Sequence, residues 1–384
     1  MNQKDNKLRI GIIFGGRSGE HEVSLMSARS VMAALDREKY EVVPIGITRT
    51  GRWLTGDVMA ALSEGQPMTT AALLPDPEMP GLMQMVSRSA SETAAESTHT
   101  SSLAPVSRLD VIFPVLHGTY GEDGTVQGLL ELADIPYVGA GVVGSAVGMD
   151  KAIFKQVMAA ADLPVLPWRL VNSSRWQQQP AAVLDEIEAV LSYPVFSKPA
   201  NLGSSVGIAK CRNRAELQAG LDEAARYDRR LVVEQGIAAR ELEIAVLGND
   251  KAEASVIGEV RPRRDFYDYV AKYMTDPGSE EESELIIPAD LTPAQAVQVT
   301  ELALRAYQAI DCGGLGRVDL LLDKESGALY INEINTIPGF TRISMYPKLW
   351  QASGLSYPEL LDRLIGLALE RHEAKMQLRR TFEA

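Results

Sequence analysis

Four polar residues interrupt two aliphatic runs late in the chain: Arg317, Asp319, Glu333 and Asn335 in "GRVDLLLDKESGALYINEINTIPG", Gly316 to Gly339. A Lys-Glu-Ser-Gly turn centred near Glu325 would fold the runs into an antiparallel hairpin, and a register with an even index sum then puts all four on one face. Carboxylates that converge in this way repel one another and shift their pKa values unless a counter-charge lies between them. Hard Mg²⁺ accepts such oxygens beside substrate phosphates, so the pattern fits a magnesium and nucleotide site. The competing reading is a solvated strand face with a salt bridge from Arg317 to an acid, a contact worth little at a surface. The polar atoms of "LYINEINT" lie in a run that reads as buried, which favours the site.

Phosphates need cations and backbone donors, and two stretches offer them. In "VFSKPANLGSSVGI", Lys198 follows a strand and stands five residues ahead of a turn, Gly203 to Gly207, whose small residues Ser204 and Ser205 let backbone N–H groups approach an anion. The lysine precedes the glycines, so this is not the nucleotide loop that ends in Gly-Lys-Ser/Thr, and any Gly-Ser turn between strands would look similar. In "MDKAIFKQ", Lys151 opens a helix, where the positive end of the dipole disfavours a lysine unless an anion compensates. Lys155, one turn on, is expected to be an ordinary surface lysine. "VVEQGIAARELEIAV" offers Glu234 at a strand end and Glu241 seven residues later, each compatible with a ligand role or with a solvated acid. "FGGRSGEHE" places Gly15, Gly16 and Gly19 at the wrong spacing for a dinucleotide fingerprint. "HEVSL" has Leu25 where a zinc-protease helix needs its second histidine.

The elements that must position these residues read as α/β and α+β. "LRIGIIFGGRSGEHEVSLMSARSVMAALD" is a buried strand, a glycine turn and an amphipathic helix. "YEVVPIGIT" gives a second strand, "LDVIFPVLHG" a third, and "GTVQGLLELADIPYVG" a helix running into a fourth, an alternation that implies mostly parallel strands. Between Thr55 and Pro105 the pattern dissolves, and "SRSASETAAESTHTSS" is too polar and small-chained to pack a core, so 55–105 is expected to be a mobile excursion without a chemical role. Three parts result: 1–143, a parallel-sheet domain; 144–239, a central part; and 240–384, which carries the hairpin. The chain of 384 residues is long enough for them. A formal charge of −13 disfavours nucleic acid or an anionic membrane as partner and favours a small molecule. No apolar run approaches the roughly 20 residues of a bilayer span, and the polar start lacks a signal-peptide segment, so a cytoplasmic location is expected. Cys211 and Cys312 form neither a disulfide framework nor a zinc pattern.

In combination, "GGRSGEHEVSL", "LHGTYGEDGTVQG", "MDK", "SKPANLGSSVGI", "YDYVAKY", "GRVDL" and "NEINTIPG" follow the order of D-alanine–D-alanine ligases of the ATP-grasp superfamily, and the chain resembles that family from about Leu8 to about Leu367. The resemblance implies a three-domain ATP-grasp architecture with an N-terminal Rossmann-like domain, and ATP-dependent formation of D-Ala-D-Ala through D-alanyl phosphate for peptidoglycan precursors. By it, Lys151 and Lys198 touch phosphates, Ser204 and Ser205 belong to the phosphate loop, Glu234 meets adenine and Glu241 meets ribose. Asp319, Glu333 and Asn335 hold two Mg²⁺ ions, for which Mn²⁺ can substitute, and the family leaves room for a monovalent cation. Glu20 orients the first D-alanine and joins Ser204 and Tyr273 in a hydrogen-bonded trio. Arg317 and the Gly339 N–H stabilise the oxyanion, while Lys272, Ser344 and the Met345 N–H receive the second carboxylate. His117 lies near the substrates. The resemblance also implies a homodimer. The alternatives are a D-alanine–D-lactate ligase, against which Tyr273 argues because depsipeptide ligases commonly carry another residue there, and a non-catalytic nucleotide-binding protein.

Overall fold

The computed structural model of the chain describes residues 7–64, 69–79, 81–89, 99–203, 206–261 and 283–379. These fall into two compact units, one of Met1–Gly121, Thr125–Gly139 and Pro358–Ala384, the other of Glu122–Gly124 and Ala140–Tyr357.

The first unit opens with strand β1 (Leu8–Gly15), helix α1 (His21–Ala34) and strand β2 (Tyr40–Ile47). Ile10, Ile12, Ile13 and Phe14 of β1 are all fully buried, as expected of a parallel strand covered on both faces. Strands β3 (Trp53–Thr55), β4 (Thr69–Leu73), β5 (Gly81–Ser89), β6 (His99–Arg108) and β7 (Val111–Val115), with helices α2 (Val58–Glu64) and α3 (Thr125–Leu132), complete the sheet. Its order is β6-β5-β4-β3-β2-β1-β7. Only β2, β1 and β7 run parallel, and every pair from β2 outward to β6 is antiparallel.

Two expectations are corrected here. The stretch 55–105 is not devoid of elements: β4, β5 and β6 lie in it or end just past it, and they extend the sheet by antiparallel pairing. Backbone hydrogen bonds stabilise such strands even where small polar side chains carry no alternating pattern. The expected fourth strand reduces to one parallel bridge, Ile112 to Tyr137.

The second unit carries two sheets. Helices α4 (Val142–Met149) and α5 (Lys151–Ala160) precede strand β8 (Trp168–Asn172), and helices α6 (Ser173–Gln178) and α7 (Pro180–Glu188) follow it. Strands β9 (Val195–Pro199) and β10 (Ala209–Cys211), helix α8 (Arg214–Ala224) and strand β11 (Arg230–Gln235) complete a four-stranded sheet ordered β10-β9-β11-β8. Then come β12 (Ala239–Gly248), β13 (Glu253–Arg261), β14 (Glu284–Ile286), helix α9 (Pro293–Ala309), β15 (Gly314–Asp323) and β16 (Leu329–Asn335), in a five-stranded sheet ordered β14-β13-β12-β15-β16. Helix α10 (Met345–Ala352) follows. The last helix, α11 (Tyr357–Met376), packs in the first unit, where its Asp362 accepts from Tyr40 Oη at 2.9 Å and its Arg371 donates to the Tyr137 carbonyl at 2.9 Å.

Helix α5 has two apolar faces. Phe154 and Met158 enter the five-stranded core with Leu242, Ile244, Val318 and Leu320, while Ala152 packs with Ala200 and Val232 of the four-stranded side. The helix therefore fixes the two sheets to each other within this unit. Cys211 and Cys312 are free and buried. Among the described residues no helix is long and apolar enough to cross a membrane.

Leu320, 1% exposed, anchors β15 to this core. Truncation to alanine should lower unfolding free energy by about 2–5 kcal/mol, through lost burial and a residual cavity. A shift in the chemical-denaturation midpoint reads it, and a change near zero would show that the core beneath the ribbon is not packed as described.

Candidate active site

The hairpin forms in the expected register: Arg317 pairs with Asn335 and Asp319 with Glu333. Beyond Asp319 the register slips by one, so that Leu320 faces Ile331 and Asn332 is the extra residue of a bulge. Leu329 and Ile331 point into the core, and without the bulge Glu333 would follow them. The extra residue instead sends Ile334 inward and leaves Glu333 on the open face with Asp319.

On that face Arg317 donates from Nε and Nη2 to the two oxygens of Asp319, both at 2.6 Å. Asn335 Nδ2 donates to Asp319 Oδ2 at 3.0 Å. Across the sheet, Glu243 on β12 is the register partner of Asp319, and its Oε2 lies 2.9 Å from Arg317 Nε. The counter-charge that converging acids require is thus a guanidinium held between two carboxylates. Among the described residues no three His, Cys, Asp or Glu side chains group to hold a metal. The donor set here is two carboxylates, Asp319 and Glu333, plus the Asn335 amide, whose oxygen a rotation would present. Such hard oxygens fit a divalent cation of the magnesium type.

A second charged group is buried in the same unit. Glu234 on β11 and Lys155 on α5 are each 2% exposed and form an ion pair, and the other oxygen of Glu234 accepts from Lys198 Nζ on β9. Burial opposes the Glu234 charge, yet Lys155 and Lys198 together hold its pKa down at about 2. Burial pushes Lys155 down despite Glu234, whereas Lys198 is held up against burial by Glu234, with Glu333 and Glu241 adding to the effect. One carboxylate cannot fully compensate two ammonium groups, and the more deeply buried lysine bears the deficit. Lys151 extends from α5 to the Leu202 carbonyl at 2.7 Å, at the edge of the Gly203 to Gly207 turn. The anion that offsets the helix dipole is Asp150, which accepts from the Ala152 and Ile153 N–H groups at 3.1 and 3.0 Å.

After β16, the Ile337 N–H donates to Glu122 Oε1 at 2.9 Å. Gly339 stands close to Ser344, whose Oγ would lie 3.1 Å from a β-carbon added at Gly339. Ser344 stands at the N-cap position of α10 without a side-chain cap bond, its Oγ lying 2.8 Å from Thr341 Oγ1, and Met345 is the first helical residue.

In the first unit, Glu20 sits at the start of α1, 7% exposed. Its N–H donates to Ser18 Oγ, which donates to the His117 carbonyl at 2.7 Å. His117 Nε2 lies 2.9 Å from Ser27 Oγ. Gly118, with φ +77°, brings the chain so close that an added β-carbon would stand 2.5 Å from Glu20 Oε2. Strand β1 leads to β2 on one side and β7 pairs on the other, so these residues follow the carboxyl ends of the strands where the order reverses, the usual ligand crevice of such sheets.

Of the sequence candidates, Arg317, Asp319, Glu333 and Asn335 share one face, Lys198 and Glu234 are bonded, Glu241 and Glu333 contribute to the field at Lys198, and Glu20 and His117 meet through Ser18. Ser204, Ser205, Lys272 and Tyr273 lie outside the described residues. The expectation for Lys155 is corrected: it is a buried ion-pair partner, because helical spacing turns it toward the sheet that bears Glu234. Glu243 and Glu122 escaped the sequence reading. Alternation with Glu241 along "ELEIAV" could have flagged Glu243, but Glu122 acts on a backbone 215 residues away and left no local signal.

The second unit, with two sheets joined through α5 and both cations and hard oxygens gathered on them, has the composition of an ATP-grasp enzyme. The D-ala D-ala ligase C-terminus model matches residues 157–366 and the N-terminus model residues 9–140. A D-alanine--D-alanine ligase of Heliobacterium modesticaldum is 53% identical, covering 97% of each chain, and that of Natranaerobius thermophilus is 47% identical, covering 96% of this chain and 97% of its own. Among solved structures, a D-Ala:D-Ser ligase from Enterococcus faecalis superposes with TM-score 0.79 at 34% identity, covering 94% of this chain and 99% of its own. The D-alanine-D-alanine ligase from Coxiella burnetii gives TM-score 0.75 at 34% identity, with 97% of each chain covered. The chain belongs to the D-alanine–D-alanine ligase family, ATP-dependent ligases that form a peptide bond.

The Glu234 carboxyl, held down at about 2 against an ordinary 4.5, contributes stability that is present above pH 4.5 and lost as pH falls through 2. Glu234→Gln should therefore flatten the acid limb of the stability profile, and at pH 7 cost roughly 3–5 kcal/mol by leaving two buried lysines without their anion. Denaturation midpoints across pH 2 to 7, about the range named, test both effects; an unchanged profile would refute the buried pairing.

Proposed function

We propose that this chain joins two D-alanine molecules into D-Ala-D-Ala, using ATP and releasing ADP and phosphate, to supply a cell-wall precursor. The observation that carries the reading is the bulged β15–β16 register, which puts a guanidinium, two carboxylates and an amide on one face of the ribbon.

The chemistry needs those parts. A carboxylate is a poor electrophile because its leaving group would be oxide, so the γ-phosphoryl group of ATP must first convert it to an acyl phosphate. Lys151 and Lys198 would meet the phosphates, the Gly203 to Gly207 turn with Ser204 and Ser205 would lie over them, and Glu234 and Glu241 would meet adenine and ribose. Asp319, Glu333 and Asn335 would hold two Mg²⁺ ions, or Mn²⁺ in their place, which supply charge neutralisation at the transferring phosphoryl group. Glu20, beside His117, would pair with the ammonium of the first D-alanine and orient its carboxylate. The amine of the second D-alanine, its own carboxylate held by Lys272, Ser344 and the Met345 N–H, would attack the acyl carbon. Arg317 and the Gly339 N–H would stabilise the oxyanion before phosphate leaves. Tyr273 and Ser204 would complete the trio with Glu20.

The same reading includes a homodimer, a cytoplasmic location and a place for a monovalent cation. It also includes the three-part division at 143/144 and 239/240; the separate four- and five-stranded sheets of the second unit support the second boundary, while residues from Pro358 onward fall in the first unit rather than with 240–357.

Phosphate release should require ATP, Mg²⁺ and D-alanine together; release without D-alanine dependence would overturn the reading. Glu333→Gln should largely abolish turnover while circular dichroism stays native, and Arg317→Met should lower kcat by roughly 10²–10³-fold with ATP affinity retained, as for a lost oxyanion donor. When D-alanine competes with D-lactate and D-serine as second substrate at neutral pH, D-Ala-D-Ala should dominate. Predominant depsipeptide or D-Ala-D-Ser would reassign the acceptor.

A further inference from the structure

A lysine with 2% exposure is costly to bury, and Lys155 has no place in the chemistry above. Its geometry gives it one. Glu234 offers one oxygen to Lys155 and the other to Lys198. Lys198 is the more exposed of the two cations, at 13%; both lie in the field of Glu333 on β16, and Lys198 also in that of Glu241 on β12. It stands on β9 opposite Val232, while Glu234 sits two residues further along β11, so carboxylate and ammonium meet diagonally across one sheet face. Lys155 approaches the same carboxylate from α5, locked in place by Ala152 against one sheet and by Phe154 and Met158 in the core of the other.

For Lys198 to donate to a phosphate, its ammonium must share or leave Glu234. A buried carboxylate stripped of its only partner would resist that exchange by several kcal/mol. With Lys155 in place, the carboxylate keeps a permanent partner and Lys198 can turn outward. We propose that Lys155 is a positioning residue whose fixed ion pair with Glu234 releases Lys198 to bind the phosphates of the nucleotide. The inference rests on the ligase reading only in taking Lys198 as a phosphate ligand. Without Lys155, Glu234 and Lys198 collapse into a one-to-one pair: the fold stays compensated, but the nucleotide must compete with an internal anion for its lysine.

The test is calorimetric titration of the full chain with ADP and with ATP, each with Mg²⁺, for native protein, Lys155→Met, Lys155→Arg and Lys198→Met. Lys155→Met should weaken both nucleotides by roughly 10–100-fold, the range of one lost charge-assisted hydrogen bond. Lys198→Met should weaken them at least as much. Lys155→Arg, which keeps the cation, should recover most of the affinity. In turnover assays Lys155→Met should raise KM for ATP and leave KM for D-alanine unchanged. Native affinity in Lys155→Met, whatever its denaturation midpoint, would reduce the residue to a structural role and overturn the proposal. Should Lys155→Met fail to fold, Lys155→Gln is read in the same titration against the same outcomes. If native protein binds neither nucleotide, the ligase reading itself fails, a result distinct from equal binding by native and variant.

Discussion

Everything in the second unit depends on one electrostatic constraint: a carboxylate removed from water must have a cation beside it. Asp319 has Arg317, and Glu234 has Lys155 and Lys198. The Arg317–Asp319 pair lies within one strand and is joined by Glu243 from β12, whereas Glu234 on β11 draws its cations from α5 and β9. Desolvation consumes much of what attraction returns, so the cost of these pairs shows chiefly when one partner is removed and the other is left uncompensated. Their effect is to concentrate charge of both signs where water is scarce, the condition under which a polyanionic substrate is distinguished from solvent.

The apolar framework makes such concentration tolerable. The ribbon β15–β16 keeps Val318, Leu320, Leu322, Ile331 and Ile334 in the core while Arg317, Asp319, Glu333 and Asn335 lie on its other face, with Leu321 and Tyr330 nearer the turn. A helix with apolar contacts on two sides, α5, ties the lysine-bearing sheet to the acid-bearing one within this unit. A rigid base of this kind holds the donors in place before any ligand arrives, which is where electrostatic catalysis draws its advantage.

The ribbon was legible in the sequence as two strands alternating with a period of two around a turn, but the turn side pairs with an odd index sum and the bulge is what brings Arg317 opposite Asn335. The bulge at Asn332 was not, since one more polar residue in "YINEIN" looks like continued alternation. Lys155 was misread for a different reason: its partner lies 79 residues away, and a lysine one turn into an amphipathic helix has no local mark that separates burial from exposure. The strands of 69–108 were missed because their antiparallel pairing is stabilised chiefly by the ladder, and Ala, Ser, Thr and Met give no periodic signal. Family resemblance named the ligand set, but it could not say which side chains neutralise those ligands.

That last distinction has a physical consequence. Glu243, Glu122 and Lys155 touch groups that the proposed chemistry uses: Glu243 lies against Arg317, Glu122 accepts from the Ile337 N–H ahead of Gly339, and Lys155 pairs with Glu234. Arg317, held bidentately by Asp319, would be drawn from that carboxylate by any cation Asp319 binds, and Glu243 is the anion that would retain it. The same logic links Lys198 and Lys155 through Glu234. A charged group that must change partners during a reaction needs a second, permanent counter-ion nearby, so this supporting layer follows from the chemistry as strictly as the groups it supports.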